Sequence, residues 1–344
     1  MHSSGRTING RSADRLPMRI VCPVDRGPLG ERADELRCPN GHRFPIVQGI
    51  PVLLRGDVPS TIPLMDASRA ANASDDLMLD TIGISAEQRA SLRAMPIGEG
   101  VDPVAAMLVA ATAGRAYRHL VGRLPSYPIP EIDLAEGHGR TLLDVGCSWG
   151  RWSIAAARKG YRVVGIDPSI GALLAARRVA AQLGAAIDLI CADARHLPFA
   201  EGTFDAVYSY SVLQHFSQQD AHLAFREAHR VLASSGECLV QMAHRNAIGS
   251  LAHRLRRGFR EPRGFEVRYW SLAELERELG ELFPRHAIAP HCFFGLGLEA
   301  CDRDLLRPTG RLALRASEAL KRMPWMRRFA DSLYVRAWKR PAFA

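Results

Sequence analysis

The residues best suited to chemistry sit in one short run, Asp144-Val145-Gly146-Cys147-Ser148-Trp149-Gly150. An apolar stretch closes on an acid, a tight turn carrying Gly146 and Gly150 follows, and 152–158 can continue as a helix. Glycines let the backbone turn sharply and let a ligand come close to it. A helix start behind them offers free N–H groups and a partial positive end. Strand, turn and helix in this order open a nucleotide-binding α/β unit. The spacing narrows the ligand: a dinucleotide fingerprint needs G-x-G-x-x-G, which Gly146 and Gly150 do not supply, so an NAD dehydrogenase is disfavoured. Asp167 lies about 20 residues past the turn, where such units set a carboxylate against ribose hydroxyls. His215 follows the fourth apolar run; an imidazole there can take a proton, or it can simply cap or pack beside the loop.

The pattern Asp-x-Gly-x-x-x-Gly resembles motif I of class I S-adenosylmethionine (SAM)-dependent methyltransferases, with Ser148 where the family usually has another glycine. Matches follow in order: a strand over 161–167 ending in Asp167, a third over 187–191 followed by Asp193-Ala194, a fourth over 204–209, and a run, 211–215, similar to the family's post-strand motif. The resemblance covers 140–243 well and the rest of the catalytic domain loosely. It implies that SAM is held by Asp144, Gly146, Cys147, Ser148 and Gly150, with the ribose on Asp167. The adenine amino group would pair with Asp193 beside Ala194, and Ser209 would belong to the same set. Methyl transfer from a sulfonium is an in-line displacement, in which positioning supplies much of the rate. A hydroxyl acceptor also needs a base. His215 is the candidate catalytic residue and His244 a second choice. There is no Asn-Pro-Pro-Tyr type run to support amino methylation of nucleic-acid bases.

A second group with chemical potential lies near the N-terminus: Cys22-Pro-Val-Asp25 and Cys38-Pro-Asn-Gly-His42, flanking a short hairpin. This resembles the zinc ribbon of small methyltransferase-activator proteins and of bacterial ribosomal-RNA guanine methyltransferases, with Asp25 in place of a usual cysteine. Zinc accepts carboxylate oxygen, so Cys22, Asp25, Cys38 and His42 could form a tetrahedral metal site. The alternative is a degenerate ribbon held by packing alone.

These residues require a Rossmann-like α/β methyltransferase sheet with helices on both faces, plus a small N-terminal ribbon-like β module. The expected division is a disordered tail at 1–16, the ribbon at 17–56, a linker and helical cap at 57–137, and the SAM domain at 138–344 with insertions at 244–270 and 295–331. A fifth strand is expected over 237–243, a sixth over 285–294 and a last over 332–338, with Ser271 and Glu274 forming a capping box. The 344 residues are 47% hydrophobic, enough for one α/β domain and smaller additions. The formal net charge of +9 permits nucleic-acid or anionic-membrane contact, or a solvated basic surface. Seven scattered cysteines fit a reducing compartment. With no signal-peptide core in 1–15, the expectation is a cytoplasmic protein with no obligate protein partner. The function expected is methyl transfer to a small-molecule acceptor (a metabolite, sugar or lipid-linked molecule) at oxygen. The alternatives are an RNA methyltransferase using the ribbon, or a non-catalytic SAM-binding regulator.

Overall fold

The computed structural model describes residues 19–73, 85–95, 100–112, 117–120, 123–294 and 297–339. The tail expected at 1–16 lies outside them. The chain enters through Gly30–Arg32 (β1), Glu35–Arg37 (β2), Arg43–Val47 (β3) and Ile50–Leu53 (β4), an antiparallel meander. Three helices follow, Pro63–Arg69 (α1), Ala86–Arg93 (α2) and Pro103–Thr112 (α3). Next come Thr141–Val145 (β5), Arg151–Arg158 (α4), Arg162–Asp167 (β6), Ile170–Gln182 (α5), Ile187–Ala192 (β7) and Phe204–Tyr210 (β8). The C-terminal part holds Gln218–Val231 (α6), Leu232–Ala243 (β9), Ile248–Arg256 (α7), Leu272–Leu282 (α8), Arg285–Cys292 (β10), Pro308–Lys321 (α9) and Ser332–Trp338 (β11).

The strands form one sheet in the order β1-β2-β3-β4-β7-β6-β5-β8-β9-β11-β10. From β4 to β9 neighbouring strands are parallel, and β11 runs antiparallel between β9 and β10. Strand order reverses at β5, so a crevice opens beyond the carboxyl ends of β5 and β8. Side chains alternate with the strand period of two. On one face Leu143, Val145, Val207 and Val240 pack with α6 and α8; on the other Leu142, Val163, Ala206 and Tyr208 meet Trp152 and Ala155 of α4. The strands expected at 141–145, 285–294 and 332–338 and the Ser271–Glu274 capping box are all present, β10 ending at Cys292.

β4 joins the N-terminal hairpins to the sheet: Val52 pairs with Cys191 and Leu53 with Ala192. The hairpins also pack inward. Cys22, Leu36, Cys38 and Phe44 are buried in the same cluster as Ala192 at the end of β7 and Leu197 and Phe199 in the loop after it. Each fully buried Leu or Phe adds roughly 1.5–3 kcal/mol over its exposed state. Arg26 meets Glu227 of α6 at 2.9 Å, and the Val21 amide donates to the Pro198 carbonyl. The sequence separates ribbon and sheet by composition; the backbone runs continuously between them.

Candidate functional site

The turn after β5 is built on left-handed residues. Gly146 has φ +74° and Gly150 +87°, and a Cβ on Gly146 would run into the side chain of Val212. Ser148 adopts φ +50°, so the serine keeps the turn a glycine would make, in a conformation L-residues enter at a cost of roughly 1–2 kcal/mol. The Gly146 and Cys147 amides both donate to the Ile166 carbonyl, which folds the turn onto β6. α4 begins at Gly150 with no side chain capping it, leaving its first amides directed at the turn.

Asp167 stands at the end of β6 and is only partly buried. Its Oδ2 accepts from the Ser148 amide (3.0 Å) and its Oδ1 from the Ser169 amide (2.9 Å), so two backbone donors orient the carboxylate. Burial pushes its pKa up to about 6 despite both donors. Asp144 is inside, 1% exposed, and receives the Ser153 hydroxyl at 2.6 Å. Burial raises it to about 7. Its place is beneath the turn, holding α4 to β5. Cys147 is also buried there.

Asp193 follows β7 and is buried in an ion pair with Arg195, whose Nη2 lies 2.7 Å from Oδ2. Arg195 also reaches Asp220 at 3.0 Å and donates to the Pro59 carbonyl, tying the segment after the ribbon over this corner. The Arg195 amide and Nε donate to Asp193 Oδ1, and Nε and Nη2 to its Oδ2, so Arg195 already takes up the carboxylate's about four acceptor positions and leaves none open for an adenine amino group. Ala194 packs in the core beside it. Ser209 is 1% exposed and gives its hydroxyl to the Val145 carbonyl at 3.0 Å, a bond that joins β8 to β5. A glycine turn, an uncapped helix start and Asp167 held by two amides lie together at the carboxyl ends of β5 and β6.

The comparisons with known proteins agree. Residues 142–236 match a family model described as a methyltransferase domain. Over that stretch the chain is similar to methyltransferase domains. Over 150 residues it is 31% identical to a ubiquinone biosynthesis O-methyltransferase of Azorhizobium caulinodans, covering 41% of this chain and 57% of that protein. It is 32% identical over 138 residues to a malonyl-[acyl-carrier protein] O-methyltransferase of Geobacter sulfurreducens, covering 40% of this chain and 38% of the relative. The matched region therefore spans about half the length of the curated relatives. Among solved structures, a Haemonchus contortus phosphoethanolamine N-methyltransferase 2 bound to SAM aligns over 60% of this chain and 50% of its own, at 19% identity and a TM-score of 0.42.

Beside the methyltransferase turn lies a polar and aromatic wall that sequence reasoning missed. Tyr210 ends β8, and its ring stands 4.7 Å from Trp152 and 5.3 Å from His291 at the end of β10. His291 Nε2 is 2.7 Å from Glu299 and its Nδ1 2.7 Å from the Ser332 hydroxyl. Burial alone would lower the His291 pKa, but the neighbouring Cys292 thiol and Glu299 carboxylate raise it to about 9. The segment after β10 closes over this wall: Tyr210 donates to the Gly297 carbonyl, and Asp302, fully buried, pairs with Arg151 at 2.9 Å. Leu298, Leu306 and Leu314 pack there with Trp149 and α3. The Trp152 indole N–H is buried and has no partner among the described residues. Only the aromatic ending of the fourth strand signals any of this in sequence; His291 and Glu299 have no neighbouring motif.

His215 lies in a short turn after β8. Its Nδ1 is 2.8 Å from the Phe265 carbonyl, and the Phe265 ring stacks on it at 3.8 Å. Burial pushes its pKa down to about 4. His244 is fully buried with Nδ1 2.9 Å from the Ala330 carbonyl.

The ribbon residues meet as well. One ligand atom from each of Cys22, Asp25, Cys38 and His42 falls within 4.8 Å of the others. His42 Nδ1 is 3.1 Å from Cys38 Sγ, 3.5 Å from Cys22 Sγ and 3.2 Å from Asp25 Oδ2. Zinc bonds of roughly 2.0–2.3 Å in a tetrahedron separate the ligand atoms by about 3.3–3.8 Å, close to the three distances measured from His42.

Proposed function

We propose that the protein transfers a methyl group from SAM to an oxygen of a small molecule: a metabolite, a sugar or a lipid-linked acceptor. The observation that carries this reading is the closed cover. The 297–321 segment is locked by the buried Arg151–Asp302 pair over the Trp152–Tyr210 wall, beside the cofactor turn. A cover in that place suits a compact acceptor and would exclude water from the displacement. The O-methyltransferases among the relatives favour oxygen as the accepting atom. SAM supplies an activated methyl group. This chain's residues orient it through Asp167 and the turn amides, while Asp193 with Arg195 shapes the corner after β7.

His215 is the proposed proton acceptor. With its pKa near 4 the ring is neutral at physiological pH but weakly basic. Proton transfer is most effective when donor and acceptor are matched, so such a base suits an acidic hydroxyl such as a phenol better than an alkyl alcohol.

The decisive experiment is radiolabelled methyl transfer from SAM, run on total RNA and on a small-molecule and lipid extract in parallel. Label is expected in the extract. Label in RNA at a defined nucleotide would overturn the reading, and SAM binding with label in neither would identify a regulator. His215→Ala should slow transfer by roughly 100-fold if the histidine takes the proton.

The ribbon is proposed to hold one zinc through Cys22, Asp25, Cys38 and His42, where the ion would tie its two turns together. Metal analysis of protein purified without chelators should give stoichiometric zinc that Cys38→Ala removes. Zinc content unaffected by that change would mean a ribbon held by packing alone.

A further inference from the structure

All large hydrophobic side chains that are exposed among the described residues lie between 251 and 329. In the first insertion they are Leu251, Leu255, Phe259 and Phe265, and near the end of the second they are Met323, Trp325 and Phe329. The same two segments hold the excess charge. Residues 245–268 contain seven arginines and two glutamates, and 321–329 contain four cations and no acid, an excess equal to the whole chain's +9. The rest of the chain is balanced.

The segments adjoin. The His244 amide donates to the Asp331 carbonyl and the Arg245 amide to the Trp270 carbonyl, both at 2.9 Å. The Tyr269 hydroxyl meets His253 Nδ1 at 2.9 Å, holding α7 against this seam. Leu272 lines one surface groove with Trp325, Arg327 and Arg328. On α7, Leu251 and Leu255 are four residues apart, hence on one helical stripe, and Phe259 is exposed in the turn just beyond the helix. Arg256, Arg263, Arg322, Arg327 and Arg328 are exposed and form no ion pair among the described residues.

We propose that this surface docks on an anionic phospholipid bilayer. A monomeric protein rarely leaves apolar side chains together in this way without a use for them. A short helix with an exposed leucine stripe flanked by arginines has the composition of an interfacial anchor. Trp325 adds a ring suited to the headgroup boundary. Nucleic acid would use the arginines, but it stacks on aromatic platforms and has no use for Leu251 and Leu255. The inference rests on this surface alone, whatever the acceptor.

The test is cosedimentation of the full chain with vesicles of phosphatidylcholine, alone or mixed with phosphatidylglycerol. Binding is expected only to the mixed vesicles and should weaken with salt. Each surface cation contributes about fivefold to such binding, so Arg256→Ser/Arg327→Ser/Arg328→Ser should weaken it about 100-fold. Leu255→Ser/Trp325→Ser, which keeps every charge, should weaken it by at least about tenfold. SAM affinity, which these positions do not touch, confirms that both variants fold. Failure to bind mixed vesicles, or unchanged binding by the leucine–tryptophan variant, overturns the proposal. RNA binding that only the arginine variant loses, with vesicle binding absent, would assign the surface to RNA.

Discussion

At the scale of single residues, Asp167 has the most to lose by substitution. Its carboxylate is already fixed by the Ser148 and Ser169 amides, so the ribose contact proposed for it would need no reorganisation. Asp167→Ala leaves those hydroxyls without an ionised acceptor. Losing hydrogen bonds to a charged group costs about 1.5–3 kcal/mol, so SAM affinity measured by calorimetry should fall roughly 10- to 150-fold. Unchanged affinity would remove Asp167 from the site. The raised pKa adds a pH dependence. Binding needs the ionised carboxylate, so affinity should hold above pH 7 and decline as pH falls through about 6. It should be about tenfold weaker at pH 5 than at pH 8. The effect on folding has the opposite sign. The folded state holds this proton more tightly than the unfolded chain, whose carboxyl titrates near 3.9, so this group's contribution to stability grows as pH falls from about 7 to 4. Weaker binding at pH 5 is therefore not acid unfolding at this residue. A pH-independent affinity would contradict the ribose assignment. The place of Asp167 at the end of β6 was legible because its distance from the glycine turn is fixed by one helix and one strand. The direction of the Ser209 hydroxyl was not: the alternation of the strand turns it toward Val145.

At the scale of elements, hydrophobic period and turn residues located β5 to β11 to within a few residues, because a strand between two helical layers must be apolar throughout. The cover over the wall was less legible. The 295–331 stretch could be read as an Arg- and Leu-rich insertion, but which residues fix it in place depends on a contact 151 positions apart in sequence, Arg151 to Asp302. Asp302 has no exposure, and its second oxygen accepts from the Glu299 amide at 2.7 Å. Asp302→Ala therefore strands a mostly buried guanidinium. Removing one partner of a buried pair costs about 3–5 kcal/mol. Urea unfolding should show a loss of that size, and limited proteolysis should find new cleavage within 297–331. A loss below about 1 kcal/mol would mean that the pair is solvated and that the cover is held by Leu298, Leu306 and Leu314 instead.

At the scale of the whole molecule, the sequence suggests a ribbon and a catalytic domain, while the structure joins them through β4 and one shared core. That continuity is invisible in composition, because an edge strand that pairs with its own hairpin and one that also extends a distant sheet have the same residues. It has a measurable consequence. All five tryptophans, Trp149, Trp152, Trp270, Trp325 and Trp338, lie beyond the ribbon, so tryptophan fluorescence reports only on the methyltransferase part. Phe44 is a ribbon residue, 4% exposed, and belongs to the cluster that contains Phe199 and Phe225. Phe44→Ala should cost about 3–5 kcal/mol as a cavity. If ribbon and sheet unfold as one cooperative unit, the unfolding free energy read by fluorescence in urea must fall by that amount even though the ribbon contains no tryptophan. A ribbon that melts separately would leave the tryptophan midpoint where it is and show its own earlier transition by far-ultraviolet circular dichroism; that pair of results would contradict the shared core.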